Sequence, residues 1–435
     1  MMVFKIKIAY YLILFYLNDY RIKPRSVLVH LQQKRFSKLK KKISSSRFYG
    51  NIIQKNGSLN DFPVINKKLF MDNFDDINTV SINKEEALQV ALQAENDRDF
   101  SETIKGITVG LSTGTSGNKG IFLASDNERA RWVAAILHRV IGFSWKQRKV
   151  AFFLRANSKL YESVNSSLLK FTFFDILNSQ EQNIAKLIKL DPDILVGQPS
   201  VLSSIADYYK SNNRKSNFTK VISVAEVLEP LEKKYLEQVF KIKIDQVYQC
   251  TEGFLATTCQ YGNMHFNEDF LIIEKKEIES EGRYSPIITD LYRTSQPIIR
   301  YHLDDIIISA NKCPCGSIYE AIEQIEGRKD DVIKLNNDEG KLVSIYPDFI
   351  RRQIVSTSDS IKSYMVRQVS ANRLLISIEP DTKENKIKLQ NNLLDNLKSF
   401  LARLEISNIE IEFEKPKSPE AGNKLRRIRN EYVNE

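Results

Sequence analysis

The chain has 435 residues, room for about three domains or one large domain with a satellite. Hydrophobic residues at 42% and charged residues at 27% exclude a disordered or collagen-like chain, and four cysteines exclude a disulfide scaffold. The 64 Lys and Arg against 54 Asp and Glu give +10, which suggests a nucleic-acid or membrane-surface partner until the charge is located.

Residues 1–50 hold twelve Lys or Arg and a single acid, Asp19, a local charge of +11, so the remaining 385 residues net −1. The basicity belongs to an N-terminal arm, and the body gives no reason to expect nucleic acid. An apolar run from Ile8 to Leu17 follows Lys5 and Lys7, as in a secretory signal, but leads into Asn18-Asp19-Tyr20-Arg21 without a small-residue cleavage site. Its ten residues are half of the roughly 20 needed to cross a bilayer. A helix packed on the body is expected, with peripheral membrane contact as the alternative. No other segment could span a bilayer, so a cytoplasmic protein is expected.

The body alternates helical and strand patterns. Leu111-Ser112-Thr113-Gly114-Thr115-Ser116-Gly117-Asn118-Lys119-Gly120 follows the apolar stretch Ile107 to Val109 and precedes a helix. Glycines let backbone N–H groups approach phosphate oxygens, hydroxyls add donors and Lys119 adds charge. Neither common nucleotide-loop spacing fits its glycines. From Asp126 to Gly142, Trp132, Ile136 and Val140 form a helical stripe. Val150 to Leu154, Ile194 to Val196 and Val221 to Val224 read as buried strands, which argues an α/β fold with largely parallel sheets flanked by helices. A helix near Asn385 to Leu404 and a strand from Asn408 to Phe413 then suggest a small α+β domain. The expected division is a basic arm over 1–50, a large domain over 51–330 and a small one over 331–435.

Four later segments carry chemistry. Tyr248-Gln249-Cys250-Thr251-Glu252-Gly253 offers an aromatic face, a hydroxyl and a hard carboxylate, which suit a metal-bound nucleotide. In Arg300-Tyr301-His302-Leu303-Asp304-Asp305-Ile306 a carboxylate could accept from two ribose hydroxyls. Gly327-Arg328-Lys329-Asp330-Asp331-Val332-Ile333-Lys334 and Pro419-Glu420-Ala421-Gly422-Asn423-Lys424-Leu425-Arg426-Arg427 supply cations. Separately, Cys313-Pro314-Cys315-Gly316 offers two thiolates in a tight turn, and Cys259 and His265 lie within seven residues of each other, a complete Cys₃His donor set for zinc.

In this order the motifs resemble those of the adenylate-forming superfamily, which includes acyl-CoA synthetases, non-ribosomal peptide adenylation domains and luciferases. The family's phosphate loop reads T-S-G-T-T-G-x-P-K; here Lys119 occupies the Pro slot and Gly120 the Lys slot. The resemblance implies that Ser112, Thr113, Gly114, Thr115, Ser116 and Gly117 hold phosphates and that Ala225-Glu226 forms the adenine-side turn. Tyr248 would stack on adenine, Thr251 contact the α-phosphate and Glu252 hold Mg²⁺. Asp305 would bind ribose, Arg328 ribose or phosphate, and Asp330 would be the hinge of a small lid domain. Lys424 would bridge the substrate carboxylate and α-phosphate, although one residue is inserted between it and Gly422 relative to the family pattern.

Asp61-Phe62-Pro63-Val64-Ile65-Asn66-Lys67, Asn73-Phe74-Asp75 and His265-Phe266-Asn267-Glu268-Asp269 narrow the resemblance to phenylacetate–CoA ligases, deazaflavin-coenzyme adenylating synthetases and related capsule-biosynthesis proteins. Several relatives in this branch carry structural zinc at the matching Cys and His positions. The implied activity is ATP- and Mg²⁺-dependent activation of a small carboxylate with release of pyrophosphate, then transfer to a thiol, coenzyme A. The alternatives are a sugar, amine or phenolic-coenzyme acceptor, or a homologue that retains the fold without catalysis. Phe152, Phe153, Tyr161, Phe171, Phe173 and Phe174 permit an aryl substrate without requiring one.

Overall fold

The computed structural model of the chain describes residues 2–112, 120–154, 165, 168–278, 282–358, 360–380, 386–416 and 426–432. The arm forms two helices, α1 (Met2–Arg21) and α2 (Arg25–Lys42). α1 lies on the helix Asp126–Ile136 and buries Ile8, Tyr11 and Phe15, as the apolar run leads one to expect. α2 buries Leu28, Phe36 and Leu39 at helical spacing. Arg25 donates two 2.6 Å bonds to the buried carboxylate of Glu268, and Gln32 donates 2.9 Å bonds to the carbonyls of Glu268 and Leu271.

A small antiparallel sheet follows, β1 (Thr103–Ile104), β2 (Ile107–Leu111) and β3 (Ile121–Ala124). The main sheet begins with β4 (Arg148–Leu154), β5 (Leu169–Asp175), β6 (Ile194–Gly197), β7 (Lys220–Val224) and β8 (Ile244–Cys250), all parallel in the order β5-β4-β6-β7-β8. Helices 180–190, 199–211 and 230–240 connect them, the last two opening on Pro199 and Pro230, whose fixed φ suits a first helical turn. β6 is buried at every residue, as a strand covered on both faces should be.

The sheet then changes sense. β9 (Gly253–Thr258), β10 (Met264–Phe266), β11 (Leu271–Glu277), β12 (Arg283–Asp290), β13 (Tyr301–His302), β14 (Asp305–Ser309) and β15 (Ala321–Arg328) are antiparallel to their neighbours. The expectation of largely parallel sheets therefore holds for one half of this 12-stranded sheet. The links from β8 to β10 are too short to carry a crossover, so their strands can pair only as hairpins.

The small C-terminal domain has its own core. β16 (Ile333–Asn336) and β17 (Leu342–Ile345) form a hairpin, and β18 (Ile361–Ser370), β19 (Arg373–Pro380), β20 (Glu410–Phe413) and β21 (Ile428–Asn430) form a sheet in the order β20-β19-β18-β21. The helix Lys386–Ala402 buries Leu389, Leu393, Leu397 and Leu401 against it. This domain docks on the large one through buried ion pairs at the start of the helix Pro230–Phe240. Arg351 pairs with Glu229, which also accepts a 3.3 Å bond from the Tyr364 hydroxyl. Arg427 lies 2.9 Å from Glu232, whose other oxygen accepts a 2.7 Å bond from Ser203.

Removing one partner of such a pair strands the other charge away from water. Glu229→Ala is expected to weaken domain docking by about 3–5 kcal/mol. The check is a larger radius of gyration in solution scattering and faster proteolysis between the domains, with each domain still folded.

Candidate active site

Both domains line one cavity of about 850 Å³. β8 and β9 meet at Cys250 and Gly253, leaving Thr251 and Glu252 as a two-residue turn at the cavity wall. Thr251 donates a 2.9 Å bond to Glu252, and Arg293 grips the carbonyl of Thr251 at 3.0 Å. The Tyr301 hydroxyl also faces Glu252. Among the described residues Glu252 forms no ion pair with Lys or Arg, which leaves its charge available to a cation.

Tyr248, near the end of β8, donates its hydroxyl to Asp305, the first residue of β14. Asp305 in turn stands opposite Arg328 in the β14–β15 register. Burial pushes the Tyr248 hydroxyl well up, reinforced by Asp305, and burial with Glu252 does the same for Tyr301, so both remain donors near neutral pH. Burial also raises the Cys250 thiol, which stays neutral and acts as packing. Arg328 donates a 3.2 Å bond to Asp304 and keeps its charge.

The turn after β7 places Ala225 at φ +69, a left-handed conformation unusual for a side chain bearing a Cβ. This bend carries Ala225 and Glu226 to the cavity, with Glu226 accepting a 3.0 Å bond from Ser200. Ser112 and Gly120 pair with each other: the Ser112 hydroxyl accepts from the Gly120 N–H at 2.7 Å, and the Ser112 N–H donates to the Gly120 carbonyl at 2.7 Å.

The structure thus gathers Ser112, Ala225, Glu226, Tyr248, Thr251, Glu252, Asp305 and Arg328 around one cavity. Asp330 lies just outside its lining, with its carboxylate 3.6 Å from Arg426. Thr113, Gly114, Thr115, Ser116, Gly117 and Lys424 fall outside the described residues, whereas Arg426 and Arg427, just after Lys424, line the cavity. The end of the cavity toward the helix Asp126–Ile136 is apolar, formed by Trp132, Ile136, Val140, Phe152, Leu169 and Phe171.

Three cavity-lining residues were given no site role from the sequence. Lys67 reaches to 3.5 Å from the Ser112 hydroxyl, beside Gly120, the slot where the family pattern has a lysine. Arg293 ties the Thr251 turn to Gln296, which bonds both Ile121 and Leu123 on β3. Glu128 is buried and accepts from the N–H groups of Ser125 (2.7 Å), Thr294 (2.6 Å) and Ser295 (2.9 Å). Its Ser125-x-x-Glu128 capping box was legible in the sequence, but its second set of partners lies more than 160 residues away.

Away from the cavity, Cys259, His265, Cys313 and Cys315 bring their donor atoms within 4.8 Å of one another. Cys259 Sγ is 3.7 Å from Cys313 Sγ, and Cys315 Sγ is 3.4 Å from His265 Nε2. Tetrahedral zinc with Zn–S of about 2.3 Å and Zn–N of about 2.0 Å would set its ligands about 3.8 Å and 3.5 Å apart, close to what is found. His265 Nδ1 donates to the Tyr319 carbonyl at 2.9 Å, which leaves Nε2 with its lone pair toward the cluster.

No family model matches the chain. It is 25% identical over 397 residues to Protein CapK of Staphylococcus aureus, covering 84% of this chain and 82% of CapK. It is 26% identical over 230 residues to indoleacetate–lysine synthetase of Pseudomonas savastanoi, covering 49% of this chain and 56% of that protein. Among solved structures it overlays on 2-hydroxyisobutyryl-CoA ligase in complex with its acyl-AMP with a TM-score of 0.68 at 17% identity, over 92% of this chain and 89% of that one.

Burial opposes ionisation of Glu128, but Arg293 and the surrounding N–H donors overcome it and hold the carboxyl below its ordinary 4.5. Its stabilisation is therefore present above pH 4.5 and is lost as pH falls through the lower folded-state value. Glu128→Gln places an amide N–H against these donors and is expected to destabilise the protein by about 1–3 kcal/mol at neutral pH. In urea unfolding the gap between variant and parent should close below pH 4.5.

Proposed function

We propose that this chain, which has the fold of the adenylate-forming ligases, activates a carboxylate as its adenylate. The supporting observation is the convergence of Tyr248, Thr251, Glu252, Asp305 and Arg328 on one cavity from three separate stretches of sequence. In this reading Tyr248 and Asp305 hold the nucleoside, Asp305 accepting from the ribose hydroxyls, while Arg328 counters nucleotide charge. Glu252, a hard oxygen donor without a basic partner, would hold Mg²⁺, which supplies charge neutralisation at the phosphates. Thr251 positions the α-phosphate and Lys67 provides the cation that Gly120 cannot.

A substrate carboxylate oxygen attacks the α-phosphorus and pyrophosphate leaves. Lys424, two residues before Arg426, bridges the two anions as charge spreads over the phosphorus. A thiol, coenzyme A in our reading, then attacks the acyl carbonyl and releases AMP, with Asp330 as the hinge about which the small domain turns between the steps. The apolar end of the cavity favours an acid with a bulky hydrophobic tail. An amine acceptor is the second reading, favoured by the similarity to indoleacetate–lysine synthetase.

The test is pyrophosphate release from Mg·ATP across aryl, fatty and sugar-linked acids, with coenzyme A, with amines and with neither. Release with some acid is expected; silence in protein shown to bind ATP would oppose the reading. Glu252→Gln should lower the rate about a hundredfold or more and Lys67→Ala about tenfold or more. Lys424→Ala should abolish adenylate formation while sparing thiolysis of a supplied acyl-adenylate; equal loss of both steps would contradict its role.

We further propose that Cys259, His265, Cys313 and Cys315 hold a structural zinc that pins the β9–β10 hairpin to the turn before β15. Four protein donors leave no open position for chemistry. Metal analysis should find about one zinc per chain. Cys315→Ser should lose it and lower the melting temperature while leaving ATP binding in place.

A further inference from the structure

α1 is apolar on two opposite sides. Its inner side is covered by the body, whereas its outer side presents Val3, Ile6, Tyr10, Ile13, Leu17 and Tyr20 at steps of three or four residues, each between 39% and 81% exposed. A helix that is apolar all round is ordinarily buried, and a stripe of large side chains along a helix about 30 Å long calls for a cover.

Charge selects the cover. Lys5, Lys7, Arg21 and Lys23 on or just after α1, and Lys34, Lys38, Lys41 and Lys42 on α2, join no ion pair among the described residues. Arg25 and Arg47, by contrast, are matched with Glu268 and Asp76. A second copy of this chain would bring an equally positive arm against the first. Nucleic acid would match the cations and leave the apolar stripe in water. A bilayer rich in anionic lipid answers both features, taking the stripe at the boundary of headgroups and acyl chains and the cations at the phosphates. No described helix is long and apolar enough to cross a membrane, so the contact would be in plane.

We infer that α1 docks this protein, through its outer apolar stripe and the basic residues on and just after it (Lys5, Lys7, Arg21 and Lys23), on an anionic lipid surface. The inference is independent of the adenylation reading, since none of these residues lines the cavity.

The test is flotation of the full chain with phosphatidylcholine vesicles, with and without phosphatidylglycerol. The protein should float with the anionic vesicles about tenfold more strongly than with the neutral ones, and added salt should weaken the binding. Ile6→Glu with Ile13→Glu should reduce binding about tenfold or more at an unchanged melting temperature, because both side chains already face water. Tyr20→Glu, at the most exposed position of the stripe, gives the same readout if the double variant misfolds. The inference is overturned if the parent does not float, if both variants float as well as the parent, or if the parent is a dimer that the substitutions dissociate, which would show a second copy covering the stripe.

Discussion

The assembly depends on burying carboxylates only where an arginine from a distant stretch of chain meets them. Glu229 and Glu232 accept Arg351 and Arg427 from the small domain, Glu268 accepts Arg25 from the arm, Glu326 accepts Arg283, and Glu128 feels Arg293. An unpaired acid at these depths would cost several kcal/mol, so each pair specifies which segment docks where even if it adds little net stability. Two of these pairs join the domains at the cavity, and a third fixes the arm to the body. The main apolar cores of the two domains are separate clusters, and a small one of Ile306, Val332 and Tyr346 bridges them, so the ion pairs act beside a modest apolar contact.

What was legible in the sequence follows from how local each signal is. The apolar runs that became β4, β6 and β7 were readable because a strand buried on both faces has few polar positions to interrupt it, Ser223 on β7 being one. Tyr248, Thr251 and Glu252 stand within five residues, so their grouping at one cavity was readable from residue type and order alone. The Cys and His donors were also legible as a set, though only the pairing of β10 with β9 and β15 brings His265 to the cysteines. The antiparallel half was illegible because strand direction depends on the length of connections, and these held no helix to mark them. Glu128, Arg293 and Lys67 act through partners far away in sequence, and no pattern of spacing encodes such a meeting.

His265-Phe266-Asn267-Glu268-Asp269 shows how one short segment serves several elements. Along β10 and just beyond it, His265 turns to the thiol cluster, Asn267 donates to the Phe254 carbonyl, and Glu268 takes Arg25. Asp269 takes Arg139 at 2.6 Å, while its carbonyl accepts from Arg35. Some of the arm's positive charge is therefore spent on buried acids of the body, and what remains lies on the outside of α1 and α2. That division separates Arg25 and Arg35 from the solvent-facing cations in a way that net charge alone could not.

The contacts of the small domain also constrain how the site could work. Arg426 bonds Asp331 at 2.7 Å while its neighbour Arg427 reaches Glu232, so the residues following Lys424 are anchored to both domains at once. Any rotation of the small domain must break the Glu229 and Glu232 pairs, and their charges must then find water or new partners. Asp331 is poised for such an exchange, because burial lifts its carboxyl above the ordinary value despite the opposing pull of Arg426. For the proposed rotation about Asp330 this favours two arrangements over a continuum, since a charge half withdrawn from its partner and still out of water is the costliest position of all.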